Sequence, residues 1–167
     1  MTLVAAGPED AGAIAALHVM SWRSAYRGLV PDEFLANQVE EDRRRLWESR
    51  LSEPDEGQLV LKAVDESGMM VGFTCVLRDA DPAWGPLLDN LHVIPNLRGR
   101  GIGAILLRAS REWSSETSPG QPMHLWVIEG NTHARRFYDR EGGEVVEHQL
   151  LELTSGIMVP ALRYVWR

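Results

Sequence analysis

Cysteine is almost missing from this chain. Cys75 is the one thiol in 167 residues, which excludes an internal disulfide and any cysteine-built metal cage. It sits in an apolar strand pattern and reads as a small buried hydrophobe. The five histidines show no metal-ligand spacing, so no metal is expected. A basic excess is missing too. Seventeen Lys and Arg stand against 24 Asp and Glu, for a net charge of −7. That balance argues against nucleic acid as a general partner and is compatible with an amine-bearing substrate. No apolar run suits a membrane span and no signal-peptide pattern is present. The expectation is a cytoplasmic protein without a membrane partner. Nothing repeats, no linker divides the chain, and one domain over residues 1–167 is expected. Gly-Lys-Ser/Thr is absent, which excludes a P-loop.

What is present is an ordinary globular mixture, 44% hydrophobic and 25% charged. Residues 2–6 read as a first strand. Gly7-Pro8-Glu9-Asp10 reads as a helix start, with proline and acids suited to the first turn. Ile14, Leu17 and Ser21 or Trp22 mark a helical stripe that runs to about Tyr26 and stops at Gly28. A further helical stretch begins at Pro31, and residues 40–51 are strongly charged. Arg43, Arg44 and Arg45 read as a solvated face answering Glu40, Glu41 and Glu48. Residues 52–57 read as a polar loop, 58–64 and 69–77 as strands, and 79–86 as a loop carrying Trp84. Residues 87–94 form the next strand, and Ile102, Ile105, Leu106, Ala109 and Trp113 the stripe of the following helix. Strand 123–128, helix 131–140 and a hairpin of 144–153 with 159–166 complete the chain. Early and late hairpins around a central β-α-β crossover predict a mixed α/β sheet with helices on both faces.

The stretch around which the chain is organised runs from Asn90 to Leu107. It reads as strand, glycine turn, amphipathic helix. Gly99, Gly101 and Gly103 let backbone pass close to a ligand. The helix start offers free N–H groups and the positive end of a dipole, and Arg98 and Arg100 add charge. A phosphate or pyrophosphate suits such a device; an ordinary tight turn is the plain alternative.

Arg98-x-x-Gly101-x-Gly103 after the fourth strand is followed by Asn131-x-x-Ala134-x-x-Phe137-Tyr138 after the fifth. Together with the early segment Ser21-Trp22-Arg23-Ser24-Ala25-Tyr26-Arg27-Gly28, this order resembles the GCN5-related N-acetyltransferase (GNAT) superfamily. The resemblance covers nearly the whole chain. It implies an acyl-CoA N-acyltransferase fold, whose mostly antiparallel sheet is splayed between strands four and five. It implies acetyl-CoA as acyl donor and the primary amine of a small molecule or peptide as acceptor. Backbone N–H groups of Arg98, Gly99, Arg100, Gly101, Ile102 and Gly103 would hold the pyrophosphate. Backbone groups of Leu91, His92 and Val93 would pair with the arm. Asn131 would contact the donor from the fifth-strand side, and Tyr138 would sit near the sulfur.

Acetyl transfer to an amine asks for a neutral nucleophile, an oxyanion donor and a proton for the thiolate. Tyr138 can supply that proton, or can simply pack beside Phe137. Family members often carry a glutamate near the position of Leu87, which cannot take a proton. Asp89, His92 and water are then the candidate bases, with Glu129 a weaker one. Regular alternation puts Asp89 on the face of Leu87 and Leu91, with His92 opposite. Trp22, Tyr26 and Trp84 could wall the acceptor pocket or anchor helix to sheet. Two rivals stand beside the enzyme. One is a non-catalytic acyl-CoA sensor of the same fold. The other is a Rossmann-type dinucleotide binder using Gly99-x-Gly101-x-x-Ala104, although no acid follows about twenty residues on. The terminal hairpin allows a monomer or a homodimer.

Overall fold

The computed structural model describes residues 1–53 and 55–167. The expected polar loop over 52–57 includes Pro54, which lies outside the described residues. Helix α1 (Ala11–Ala25) follows one 3-10 turn over Pro8–Asp10. Asp10 accepts from the Gly7 N–H at 3.0 Å and from Lys62 Nζ at 2.6 Å, fixing the start of the helix to strand β2 (Gln58–Val64). Ile14, Leu17, His18, Ser21 and Trp22 form the buried stripe at three- and four-residue spacing.

Helices α2 (Asp32–Asn37) and α3 (Val39–Arg50) pack beside α1. On α3 the salt bridges of Arg44 and Arg45 with Glu41, and of Arg44 with Glu48, lie on the solvated face, as expected. Arg43 does not join them. Val39, Arg43 and Trp47 are four residues apart and share the buried stripe. Arg43 pairs with Asp42 at 2.6 Å, and its guanidinium lies 4.3 Å from the centroid of the Trp22 ring.

The remaining strands are β1 (Thr2–Ala5), β3 (Met70–Asp81), β4 (Gly85–Val93), β5 (Met123–Ile128), β6 (Glu144–Thr154) and β7 (Ile157–Trp166). They form one seven-stranded sheet in the order β1-β2-β3-β4-β5-β7-β6. Among the described residues, β4 and β5 are the one parallel pair of this sheet, and its other pairs are antiparallel. A doubly wound dinucleotide fold needs a largely parallel sheet, so the Rossmann alternative has no scaffold here. Helices α4 (Ile102–Thr117) and α5 (Thr132–Arg140) cover the face that carries Leu125, Val127 and Tyr164; α1, α2 and α3 cover the other.

Both hairpins run further than their sequences suggest. The loop expected over 79–86 is a short turn between β3 and β4. Asp81 Oδ1 accepts from the N–H groups of Ala83 and Trp84 at 2.8 and 3.1 Å, and Gly85 turns at φ +73°. In the β6–β7 hairpin, Ser155 and Gly156 both adopt positive φ, the requirement of a two-residue hairpin turn. Asp42 Oδ1 accepts from Thr154 Oγ1 at 2.9 Å, which ties this turn to α3.

Candidate active site

The sheet opens between β4 and β5. Leu87 and His124 form the one ladder pair joining them among the described residues, at the start of both strands. Beyond it the strands diverge around a cleft of about 540 Å³. On the β4 side the ladder with β3 matches Phe73 with His92 and Gly72 with Val93, and Ile94 N–H bonds Val71 C=O. Hydrogen-bonded and non-bonded pairs alternate in an antiparallel ladder. Leu91 and Val93 therefore aim their N–H and C=O groups at the breach, while His92 spends its own on Phe73.

A bulge sets the side chains of β4. Cys75 faces Asn90 and Val76 faces Leu88, which leaves Asp89 as the extra residue. The expected alternation is therefore corrected at this point. Asp89 bonds Arg50 on α3 at 2.6 Å, and His92 packs on Phe73 and His18, so both lie on the α1–α3 face. Leu91 lies on the other face, close to Gly103. Asp89 also accepts from Asn90 Nδ2 at 2.6 Å.

At the far end the cleft reaches the glycine turn. Gly99 and Gly101 adopt φ +78° and +82°, with open space where a side chain would stand. Gly101 precedes α4, and the first internal helix bond is Ile105 N–H to Gly101 C=O. The N–H groups of Ile102, Gly103 and Ala104 are thus free of helix partners. A Cβ on Gly103 would meet the Phe137 ring at 3.3 Å, so that ring of α5 packs against the first turn of α4. Free amides, an open turn and a breach of this depth fit a diphosphate with a slender thiol arm. Arg98 turns its guanidinium to α1, donating to Ser24 Oγ and Ser21 Oγ at 3.1 Å each. Arg100 is exposed beside the turn.

Asn131, Tyr26 and Tyr138 also line the cleft. Asn131 caps α5, its side-chain oxygen accepting from Ala134 N–H at 3.2 Å. Tyr138 packs among Phe137, Tyr164 and Trp166, and its hydroxyl makes no hydrogen bond among the described residues. Burial, with Tyr26 and Tyr164 nearby, raises the Tyr138 pKa above the ordinary phenol range. Burial likewise pushes Tyr26 up to about 12. His92 is pushed down to about 3, first by burial and then by Arg98 and Arg43.

Two aromatic residues expected at the acceptor pocket lie elsewhere. Trp22 is buried behind Tyr26, ring centroids 5.2 Å apart, in the core between α1 and α2. Trp84 lies at the β3–β4 turn over Arg163, 5.1 Å from its centroid to the guanidinium. Glu129 pairs with His148 at 3.2 Å near the protein surface. Ser21, Ser24 and Trp126 line the cleft, but sequence reasoning did not single them out as site residues. Ser21 and Ser24 lie three apart at the end of the α1 stripe, and that spacing was the available signal. Trp126 stood in the apolar fifth strand with nothing to separate cleft from core.

A mixed sheet parted at its one parallel pair, with a glycine turn feeding a helix at the parting, defines an acyl-CoA-dependent transferase fold. The model of the acetyltransferase (GNAT) family matches residues 10–143, and the chain belongs to that family. It is 27% identical over 161 residues to a probable N-acetyltransferase of Mycobacterium tuberculosis, covering 96% of this chain and 90% of that one. It is 26% identical over 160 residues to an uncharacterised N-acetyltransferase of Bacillus subtilis, covering 95% and 88%. Among solved structures, the PaiA N-acetyltransferase of Thermoplasma acidophilum in complex with coenzyme A superposes with a TM-score of 0.76 at 19% identity, over 99% of this chain and 98% of that one. No helix among the described residues is long and apolar enough to cross a membrane.

Proposed function

We propose that the protein moves an acetyl group from acetyl-CoA to a primary amine of a small molecule or peptide, by direct attack within one cleft. The observation that carries this reading is the breach beyond Leu87 and His124, which runs from Tyr138 to the amides of the glycine turn. The acyl donor brings an activated thioester; the chain's own residues bind, orient and move protons. Amides of residues 99–104 and the side chain of Arg100 hold the diphosphate. The backbone of Leu91 and Val93 holds the arm, and one of their N–H groups faces the developing oxyanion.

Tyr138 is the general acid. Burial keeps its phenol protonated, and a phenol can protonate a departing thiolate. Asp89 stands on the cleft wall and draws the substrate ammonium, whose proton leaves through water. Asn131 shapes the wall by capping α5. Tyr26 and Trp126 flank the acceptor.

The test is release of free coenzyme A with a panel of amines, for wild type and Tyr138→Phe. Turnover on some amine, with a large loss of kcat and little change in KM in the variant, supports the acid role. Tight acetyl-CoA binding without turnover on any amine would instead favour the sensor.

A further inference from the structure

The His18 ring of α1 lies against the His92 ring of β4, tilted by 38°, and the hydrogen-bond partners of each ring bear on where it carries its proton. Trp47 Nε1–H can only donate, and it reaches His18 Nδ1 at 2.9 Å. His18 therefore carries its proton on Nε2, which is buried without a partner among the described residues. The His92 ring lies against it, with centroids 4.4 Å apart.

His92 Nδ1 is 2.8 Å from Ser21 Oγ. Ser21 Oγ already accepts from Arg98, whose guanidinium can only donate. Among the described residues the hydroxyl proton has one acceptor within hydrogen-bond distance, His92 Nδ1. Only with a lone pair on that nitrogen, and the His92 proton on Nε2, does the hydroxyl proton find a partner there. Nε2 has no protein partner among the described residues, and the half-buried ring is part of the cleft wall.

We infer that Arg98, Ser21 and His18 lock His92 as a neutral Nε2–H donor to an amide carbonyl oxygen on the arm of the bound acyl donor, and that His92 is not the base. The inference rests on the reading that the cleft holds an acyl-CoA. An ammonium brings only donors to this site, so a donor nitrogen cannot serve it. The charged groups around the ring all oppose its protonation. Arg98 faces it from the turn and Arg43 from α3, while the neutral His18 ring packs on it from α1, with Arg50 of α3 behind His18. No carboxylate bonds either ring among the described residues. Ser21, Arg98 and His18 are positioning residues; they act through His92.

Long-range ¹H–¹⁵N spectra of the apo protein read the ring directly. His92 is expected to show a protonated Nε2 and a bare Nδ1, unchanged from about pH 5 to pH 9. Ser21→Ala should give a mixture of tautomers and a higher titration midpoint. A wild-type ring protonated on Nδ1, or titrating above about pH 6, overturns the lock. Added coenzyme A should shift the Nε2–H resonance. Thermal stabilisation by coenzyme A without that shift overturns the donor role and leaves the acetyl-transfer reading intact; absence of both overturns that reading as well. In turnover, His92→Phe should lower kcat/KM about tenfold or more, and His92→Gln, which keeps an N–H, should recover part of it. The acidic limb of the pH profile should persist in both. Its disappearance would make His92 the base and end the inference.

Discussion

Leu87 of β4 stands opposite His124 of β5, and the two strands share no further ladder pair among the described residues. The opening lies within the sheet, so occupying it should stabilise the whole fold. Coenzyme A at about a hundred times its Kd adds about 2.7 kcal/mol, or about 5–10 °C in Tm for a chain of this size. Gly101→Val should lose most of that gain, because a β-branched residue resists the positive φ at the head of α4. Differential scanning fluorimetry reads both; an unchanged shift in the variant would remove the turn from the binding site.

Tyr138→Phe deletes a hydroxyl that bonds nothing among the described residues, while the ring keeps its contacts with Phe137, Tyr164 and Trp166. Thermal stability should stay close to wild type. Activity should fall about 10²–10⁴-fold, the usual worth of a general acid. Steady-state kinetics and a melting curve on the same preparation separate the two effects.

The raised pKa of Tyr138 has a further consequence. Its acid form persists above the ordinary phenol midpoint of about 10. No alkaline loss of kcat from this group should appear below that pH. A kcat profile that falls with a midpoint near 8 would assign the proton to another residue.

Stability itself should depend on acid. His18 lies well below its ordinary value, His92 is near 3 and His124 near 4, in each case first through burial. The unfolded chain binds these protons near pH 6.5, and the folded chain does not. Stability is therefore complete above about 6.5 and lost as pH falls toward 4, by up to about 1.4 kcal/mol per pH unit for each histidine. Urea unfolding at a series of pH values measures the slope; a flat line down to about pH 4 would mean that the rings are charged in the fold.

Arg163 lies between the rings of Trp84 and Trp126, at 5.1 and 4.3 Å, and its guanidinium bonds Glu147, Asp81 and His124. Arg163→Ala should cost about 1–3 kcal/mol, because several partners lose their donor at once. Arg163→Met, which keeps the packing, should recover part of the loss. Denaturant midpoints compare the variants.

Much of the architecture was legible from local patterns. The glycine turn, the α1 stripe and the paired acids and arginines of α3 each follow from spacing within one element. The limits appear where a residue's setting depends on a neighbouring strand. The bulge at Asp89 exists only in the register with β3, so alternation along β4 alone put Asp89 and His92 on opposite faces. Trp84 and Trp22 are wide apolar rings that suit a pocket or a core equally well, and both found arginines instead. Asp81 folds an expected loop into a hairpin through two backbone bonds that no hydrophobic period reports. Arg98 stands in a phosphate motif, yet its guanidinium serves α1.

The extra residue at Asp89 falls just beyond Leu87, where the pairing of β4 with β5 ends. Its neighbours Leu88 and Asn90 remain in step with β3, so a chain one residue shorter at that point could keep every other partner of the strand. It would lose the bend that a bulge imposes. Excision of that single codon is the change expected to let a straightened β4 run on beside β5, and the loss of thermal stabilisation by coenzyme A in the shortened chain would report a sealed sheet.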